Sequence, residues 1–494
     1  MDGNDLRLVL DFPLGFTPPP SRRLTSVPFQ RSFRTIGIAL CLWAIPAFAQ
    51  LETRSSVRVD SSPYSIAIGD FNHDGVNDLA VVAFSTSYVA VLIGNRDGTF
   101  QKATYYDAVA SSVAVGDFRN NGILDLALAD NLNNQMQILL GNGDGTFGPS
   151  SFYSTPDFPN VIALGDFNGD HKLDVVTVDE SGYCPCISVL LGNGDGSFQE
   201  PPITTMPPVA AVAIGLGDFN HDGILDIVSV GESRSGNQAE ILLGNGDGTF
   251  TFGATYTIGS GPQSVAVGDF NRDGNLDIAI ADPFAGSVDI LLGNGDGTFR
   301  QGTPVPGDAP AEVRVADMNG DGKLDLVFQT GVSTNGLAIA YGNGNGTFQP
   351  AINFPIPGEP VSPAIADFNG DHRSDVALAD YSGNSVMILL NTGVVRFSPI
   401  SPLNFKKQAA GSTSAPQSVT LTNTGKTALN ISSMKVAGQF AMTSTCRKSV
   451  AAGANCKISV AFSPKTQGPK SGTVSIVDSA SSKPQVIELS GIGD

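Results

Sequence analysis

Aspartate and asparagine recur at fixed offsets along this 494-residue chain. The first segment reads Asp70-Phe-Asn72-His-Asp74-Gly75-Val76-Asn-Asp78, which sets side-chain oxygens at positions 1, 3, 5 and 9 and the carbonyl of Val76 at position 7. Ca²⁺ takes six to eight oxygens in tolerant geometry, so alternating carboxylates around a glycine turn suit it. A donor set without nitrogen or sulfur argues against zinc and copper. The closing carboxylate falls at position 9, not 12, and strands flank the loop, so an EF-hand does not fit.

Five further loops keep the whole set. They carry Asp166, Asn168, Asp170, Lys172 and Asp174; Asp218, Asn220, Asp222, Ile224 and Asp226; and Asp269, Asn271, Asp273, Asn275 and Asp277. The last two carry Asp317, Asn319, Asp321, Lys323 and Asp325, then Asp367, Asn369, Asp371, Arg373 and Asp375, the position-7 residue contributing its carbonyl in each. One such loop reads equally well as an Asx-rich turn. Six of them, each crowding three carboxylates together, would repel themselves without cations, so up to six Ca²⁺ sites are expected. The loop at Asp117 departs, with Arg119 at position 3 and Asn121 at position 5, and a second cation beside that arginine is disfavoured. His171 and His372 stand where glycine is usual, which weakens those two loops.

The elements that must position these loops repeat with them. The loops begin at Asp70, Asp117, Asp166, Asp218, Asp269, Asp317 and Asp367, at spacings of 47, 49, 52, 51, 48 and 50. Between them runs Leu-Leu-Gly-Asn-Gly-Asp-Gly-Thr/Ser-Phe, starting at Leu139, Leu190, Leu242 and Leu291, with variants at Leu92 and Ala340 and a degenerate copy at Leu389. Each unit reads as four short strands. In the second, 112–116 and 124–128 alternate with period two, 136–140 forms a third strand, and Phe147 opens a fourth beyond the hairpin turn at Asn142–Gly145. Four strands at this period predict a propeller blade. The expected fold is therefore all-β: a seven-bladed β-propeller over 50–398, followed by a small immunoglobulin-like β-sandwich over 399–494. Residues 53–59 align with a fourth strand and are expected to complete the last blade; an open solenoid is the alternative.

Charged residues make up 15% of the chain and its formal charge is −19, a surface that repels nucleic acid and anionic membranes. Arg31 and Arg34 precede a short apolar run ending in Ala47-Phe-Ala49, so residues 1–49 read as a leader with a signal peptide cut after Ala49. Initiation near Leu24 or Val27 would give that leader an ordinary length. Leu40 before Cys41 disfavours a lipid anchor, and no stretch reads as a transmembrane segment. A secreted or cell-surface location follows, with the periplasm as the alternative.

Catalysis finds few residues to use. The four histidines, His73, His171, His221 and His372, all lie inside the loops, and no nucleophile motif accompanies them. No enzyme is expected. The expected role is adhesion, recognition or scaffolding toward an unidentified protein or glycan. A lectin is the nearer alternative, using Tyr64, Tyr88, Tyr105 or Tyr106 since Trp43 leaves with the leader; a polysaccharide hydrolase or lyase is the more distant one. Cys184 and Cys186 sit at a hairpin tip, too close to pair without strain.

On the paired loop and Gly-Asn-Gly-Asp-Gly motifs, residues 54–398 resemble the FG-GAP/VCBS-type repeats, a family that includes the propeller of integrin α subunits. The resemblance implies Ca²⁺ in the blade loops and a role in adhesion or recognition. From Cys446 through Gly453, Cys456, Phe462 and Pro464 to Gly491, the C-terminal region resembles the ASH/choice-of-anchor D immunoglobulin-like domains. That likeness implies a surface or scaffold module with a Cys446–Cys456 disulfide.

Overall fold

The computed structural model of the protein describes residues 51–494, except 60–61, 84–86, 157, 182–183, 234–235, 332–334, 371–372, 392–394, 399–402, 424–427 and 480–484. The expected leader, and Asp371 with His372 of the last loop, lie outside the described residues.

The described chain is all-β. Seven antiparallel sheets precede the C-terminal domain, and each is a blade whose first strand lies innermost. These inner strands are Pro63–Gly69, Ser112–Gly116, Pro159–Gly165, Ala210–Gly217, Ser264–Gly268, Val313–Ala316 and Pro360–Ala366, which number blades 1 to 7. Each packs on the next, and the last packs on the first, where the Ile66 N–H donates to Ser362 Oγ at 3.1 Å. The outer strand of blade 7 comes from the start of the described chain. Leu51–Arg58 runs antiparallel to Ser385–Asn391, in register from Leu51↔Asn391 to Arg58↔Ser385, and so closes the propeller.

The apolar core sits between blades, not within them. In blade 1, Leu79 and Val81 pack with Ala377, Val386 and Ile388 of blade 7, while Ala80 and Val82 pack with Leu126 and Leu128 of blade 2. Successive side chains of a strand leave opposite faces, so both faces of the second strand meet a neighbouring blade. Asp125–Asp130 is accordingly buried along its whole length. The period-two pattern expected there separates two blade interfaces; it does not separate core from solvent. Burying both faces without an edge is what lets seven small sheets build an apolar cluster at each of their seven interfaces.

The C-terminal domain is an immunoglobulin-like sandwich. One sheet orders Val395–Ser398, Gln417–Asn423, Asn455–Phe462 and Phe440–Ser444; the other orders Leu403–Asn404, Gln485–Gly493, Gly468–Asp478, Leu429–Ala437 and Ser449–Val450. Val419, Leu421, Ile458, Val460, Val474 and Ile476 alternate inward to form its core, with the rings of Phe405, Phe440 and Phe462 mutually in contact. Val395–Ser398 pairs with Thr420–Asn423 and so belongs to this sandwich, although it lies ahead of the boundary read at 398/399. Pro399 and Pro402 suggest a linker in the sequence, but strand pairing decides where a domain begins. Cys446 and Cys456 are disulfide-bonded, with Cα atoms 4.8 Å apart.

Candidate metal-binding loops

Each loop joins the first and second strands of its blade, and two of its positions need a left-handed backbone. In the first loop these are His73 at φ 58° and Gly75 at φ 75°. Position 6 is glycine in most loops, but His171 holds φ 63° there, and His221 and Arg272 hold φ 60° and 63° at position 4. Non-glycine residues accept this region at a cost of order 1 kcal/mol. The sequence pattern marked position 6 and gave no hint of position 4.

Positions 1, 3 and 5 fold onto the loop's own amides. Asp70 accepts the Asp74 N–H at 3.1 Å and the Gly75 N–H at 2.8 Å, Asn72 Oδ1 accepts the Asp74 N–H at 3.1 Å, and Asp74 Oδ1 accepts the Val76 N–H at 2.8 Å. Asp218, Asn220 and Asp222 repeat these bonds in blade 4. The Asx-turn reading therefore describes the loop as it stands. Among the described residues, no three acidic, histidine or cysteine side chains are already arranged around one point as ion ligands. Each carboxylate oxygen that takes one N–H keeps a further lone pair, so the same turns leave oxygen donors on one small loop.

Position 9 does more than the sequence indicated. Asp78, Asp174, Asp226, Asp277, Asp325 and Asp375 are fully buried, as is Asp125. Asp78 Oδ2 accepts the Phe71 N–H at 2.8 Å, and its Oδ1 accepts the Gly94 N–H at 2.7 Å, so one carboxylate ties the loop's start to the end of the third strand. The same pair of bonds recurs at Asp174, Asp226, Asp277 and Asp325. Burial pushes the carboxyls of Asp78, Asp174 and Asp277 up to about 6 and that of Asp325 up to about 7; the backbone N–H bonds oppose this, and the position-5 and position-1 aspartates add to it. Three carboxylates thus feel one another in each of these loops, which is the electrostatic condition a divalent cation relieves.

The loops are not equivalent. Lys172 Nζ lies 3.0 Å from Asp170 Oδ2, and Lys323 Nζ lies 3.0 Å from Asp321 Oδ2, so blades 3 and 6 carry their own partial neutralisation. The second loop goes further. Arg119 Nη2 sits 2.6 Å from Asp125 Oδ1 and 2.6 Å from the Gly141 carbonyl, and its Nε donates to Asp125 Oδ2 at 3.3 Å. A guanidinium answers the buried carboxylate there.

The Gly-Asn-Gly-Asp-Gly turn is a hairpin connector with a second task. Its last glycine donates to the carbonyl of the Phe at position 2 of the preceding blade's loop: Gly145 to Phe71 at 2.9 Å, Gly196 to Phe118 at 3.1 Å, Gly248 to Phe167 at 3.1 Å. Gly297 to Phe219 and Gly346 to Phe270 continue the series, and Gly98 to Phe368 closes it. Blade 7 lacks the turn, and the Asn391 side-chain amide replaces it, donating to the Met318 carbonyl at 2.7 Å. The Phe after the turn meets the same Phe edge to face, as in Phe71–Phe147 at 5.4 Å and Phe118–Phe198 at 5.3 Å. Among the cysteines of blade 3, Cys186 is buried and disulfide-bonded, while the Cys184 side chain lies outside the described residues.

Fold and loops together define a β-propeller of repeated acidic-loop blades carrying a C-terminal immunoglobulin-like domain. The FG-GAP-like repeat profile matches six overlapping segments, 70–128, 117–177, 166–229, 218–280, 269–328 and 317–378, and the chain belongs to that family. Residues 393–486 match the ASH profile (abnormal spindle-like microcephaly-associated, ASPM-SPD-2-Hydin). No curated protein sequence matches the chain. Among solved structures, the ASH/PapD-like domain 7 of human CEP192 is 14% identical, with a TM-score of 0.16 over 20% of this chain and 84% of that one. A protein from Lactobacillus plantarum is 12% identical, with a TM-score of 0.44 over 60% of this chain and 87% of that one. The matched domains are of types that are typically non-catalytic, and no helix among the described residues is long and apolar enough to cross a membrane.

Proposed function

We propose that the chain is an exported Ca²⁺-binding propeller that serves adhesion, recognition or scaffolding at or outside the cell surface. The observation that carries this reading is the recurrence of oxygen-only loops whose position-9 carboxyl is pushed up by burial, with the aspartates at positions 5 and 1 adding to the rise. Residues at positions 1, 3 and 5, the position-7 carbonyl and a remaining lone pair of position 9 would hold the ion, and the ion would supply charge compensation and rigidity. With its loops held, the propeller presents fixed connecting segments to a partner, the usual way a rigid scaffold recognises another surface.

The test is a thermal melt of the mature chain in EDTA and across a calcium titration. Sites of this extracellular kind bind with dissociation constants on the order of 0.1–1 mM. Binding to the folded state alone must raise the melting temperature. A rise specific to calcium, absent with magnesium, supports the reading; an unchanged melt removes it.

A further inference from the structure

Inner strands from all seven blades surround a central cavity of ≈ 1120 Å³. Its lining mixes aliphatic side chains with serines and amides, and blade 6 breaks the pattern. Five residues before the loop's first aspartate, the other blades carry Ser65, Ser112, Val161, Ala213, Ser264 and Ser362; blade 6 carries Glu312. Three residues before it, the others carry alanine or glycine; blade 6 carries Arg314. Among the described lining residues these two are the only charged ones, and they face the same cavity with Arg314 Nη2 3.7 Å from Glu312 Oε2.

Packing between blades accounts for only part of the pair: the Ser362 N–H of blade 7 reaches the Glu312 carboxyl. Two of the four serines at this position bond the next blade: Ser264 Oγ accepts the Val313 N–H at 3.3 Å, and Ser362 Oγ accepts the Ile66 N–H at 3.1 Å. Opposite Glu312 the matching residue is Pro363, which has no N–H to give. Glu312 Oε2 accepts no hydrogen bond, and Arg314 spends Nη1 on the Val313 carbonyl at 3.0 Å. The glutamate keeps 28% of its side chain exposed, yet protein encloses it closely enough that burial raises its carboxyl, against the pull of Arg314 and the Ser362 N–H. The Glu312 carboxyl, still partly exposed to the channel, keeps an oxygen open to a donor from a ligand.

We infer that the channel holds a neutral saccharide, bound by Glu312 and Arg314. The pair is neutral in sum, which disfavours a ligand of net charge, and it sets an acceptor beside donors, as neighbouring sugar hydroxyls require. Gln263 and Gln329 add amides to the lining. Tyr64 and Phe284, 44% and 77% exposed, line the same cavity and offer rings to the apolar faces of a sugar. The inference rests on none of the metal loops, so it stands or falls apart from the calcium reading.

The experiment is isothermal titration of the mature chain with three neutral disaccharides, cellobiose, maltose and lactose, and with glycine as a zwitterion control. The variant Glu312→Ser/Arg314→Ala gives blade 6 the residues its neighbours already carry, so folding is retained, and an unchanged melting temperature checks this. Binding of at least one disaccharide, weakened about tenfold or more in the variant and not competed by glycine, is the expected result. The inference is overturned if no disaccharide binds, if the variant binds as well as the native chain, or if glycine displaces the sugar.

Discussion

Phe100 and Phe368 stand in the first and last blades, and their rings meet edge to face with centroids 5.9 Å apart. The Gly98 N–H donates to the Phe368 carbonyl at 3.1 Å beside them. This contact is the one made between every preceding pair of blades that has both motifs, so the ring closes with the same chemistry that propagates it. Two closures act in parallel: this contact, and the Leu51–Arg58 strand added to blade 7.

Truncating the closing ring should therefore be as harmful as truncating any internal one. Phe368→Ala, at a residue 1% exposed, should cost about 3–5 kcal/mol in urea unfolding. Phe152→Ala, on an outer strand and 55% exposed, should stay within about 0.5 kcal/mol. Equal costs for the two would mean that the blades do not depend on this contact.

Acidity should stabilise the metal-free propeller. Asp78, Asp174 and Asp277 titrate near 6 and Asp325 near 7 when folded, against 3.8 unfolded, so the folded state binds more protons between those values. Stability must then fall as pH rises through that window, and it is fully regained only below the unfolded value. The melting temperature in EDTA should rise on going from about pH 7.5 to about pH 5, and saturating calcium should abolish or reverse the trend. A flat profile in EDTA would contradict the burial of these carboxyls.

Calcium should bind unequally. Lys172 and Lys323 pair with the position-5 carboxylates of blades 3 and 6, and a divalent ion must compete with them. Replacing both by methionine should tighten the two weakest sites several-fold, read by calorimetry at low salt. No change in the weak-site constants would show that these exposed pairs hold nothing.

The second loop should be convertible. Arg119→Asn alone leaves Asp125 buried without its cation, at a cost of about 3–5 kcal/mol in EDTA. Arg119→Asn with Asn121→Asp restores the oxygen set of the other loops, so bound calcium should rise by one equivalent and the lost stability should return only with calcium. Loss of stability that calcium does not repair would separate this loop from the rest.

Repetition made most of this legible. Loops and turns recur in order, so one blade read correctly gave the others, and Arg119 stood out as the break in the series. What stayed hidden depends on partners distant in sequence. Asp78 looked like a ligand because its spacing from Asp70 is visible, whereas its bond to the Gly94 amide is not. Gly145 looked like a local turn residue because its acceptor, the Phe71 carbonyl, lies in another repeat. Glu312 and Arg314 belong to no motif, because inner strands carry none, and only the alignment of those strands around the channel sets the pair apart. The start of the sandwich is hidden for the same reason: the pairing of Val395–Ser398 is non-local.

Leu51 lies directly across from Asn391. Whatever precedes the one and follows the other therefore leaves from neighbouring points on a single sheet. A pull applied between those two points would not be shared by seven blades. It would enter at one end of the last strand pair and open its hydrogen bonds in succession, like a seam, each worth only about 1 kcal/mol. The join that makes the ring whole is thus also where tension along the chain would first be felt, and a module of this build resists load better through its faces than through its ends.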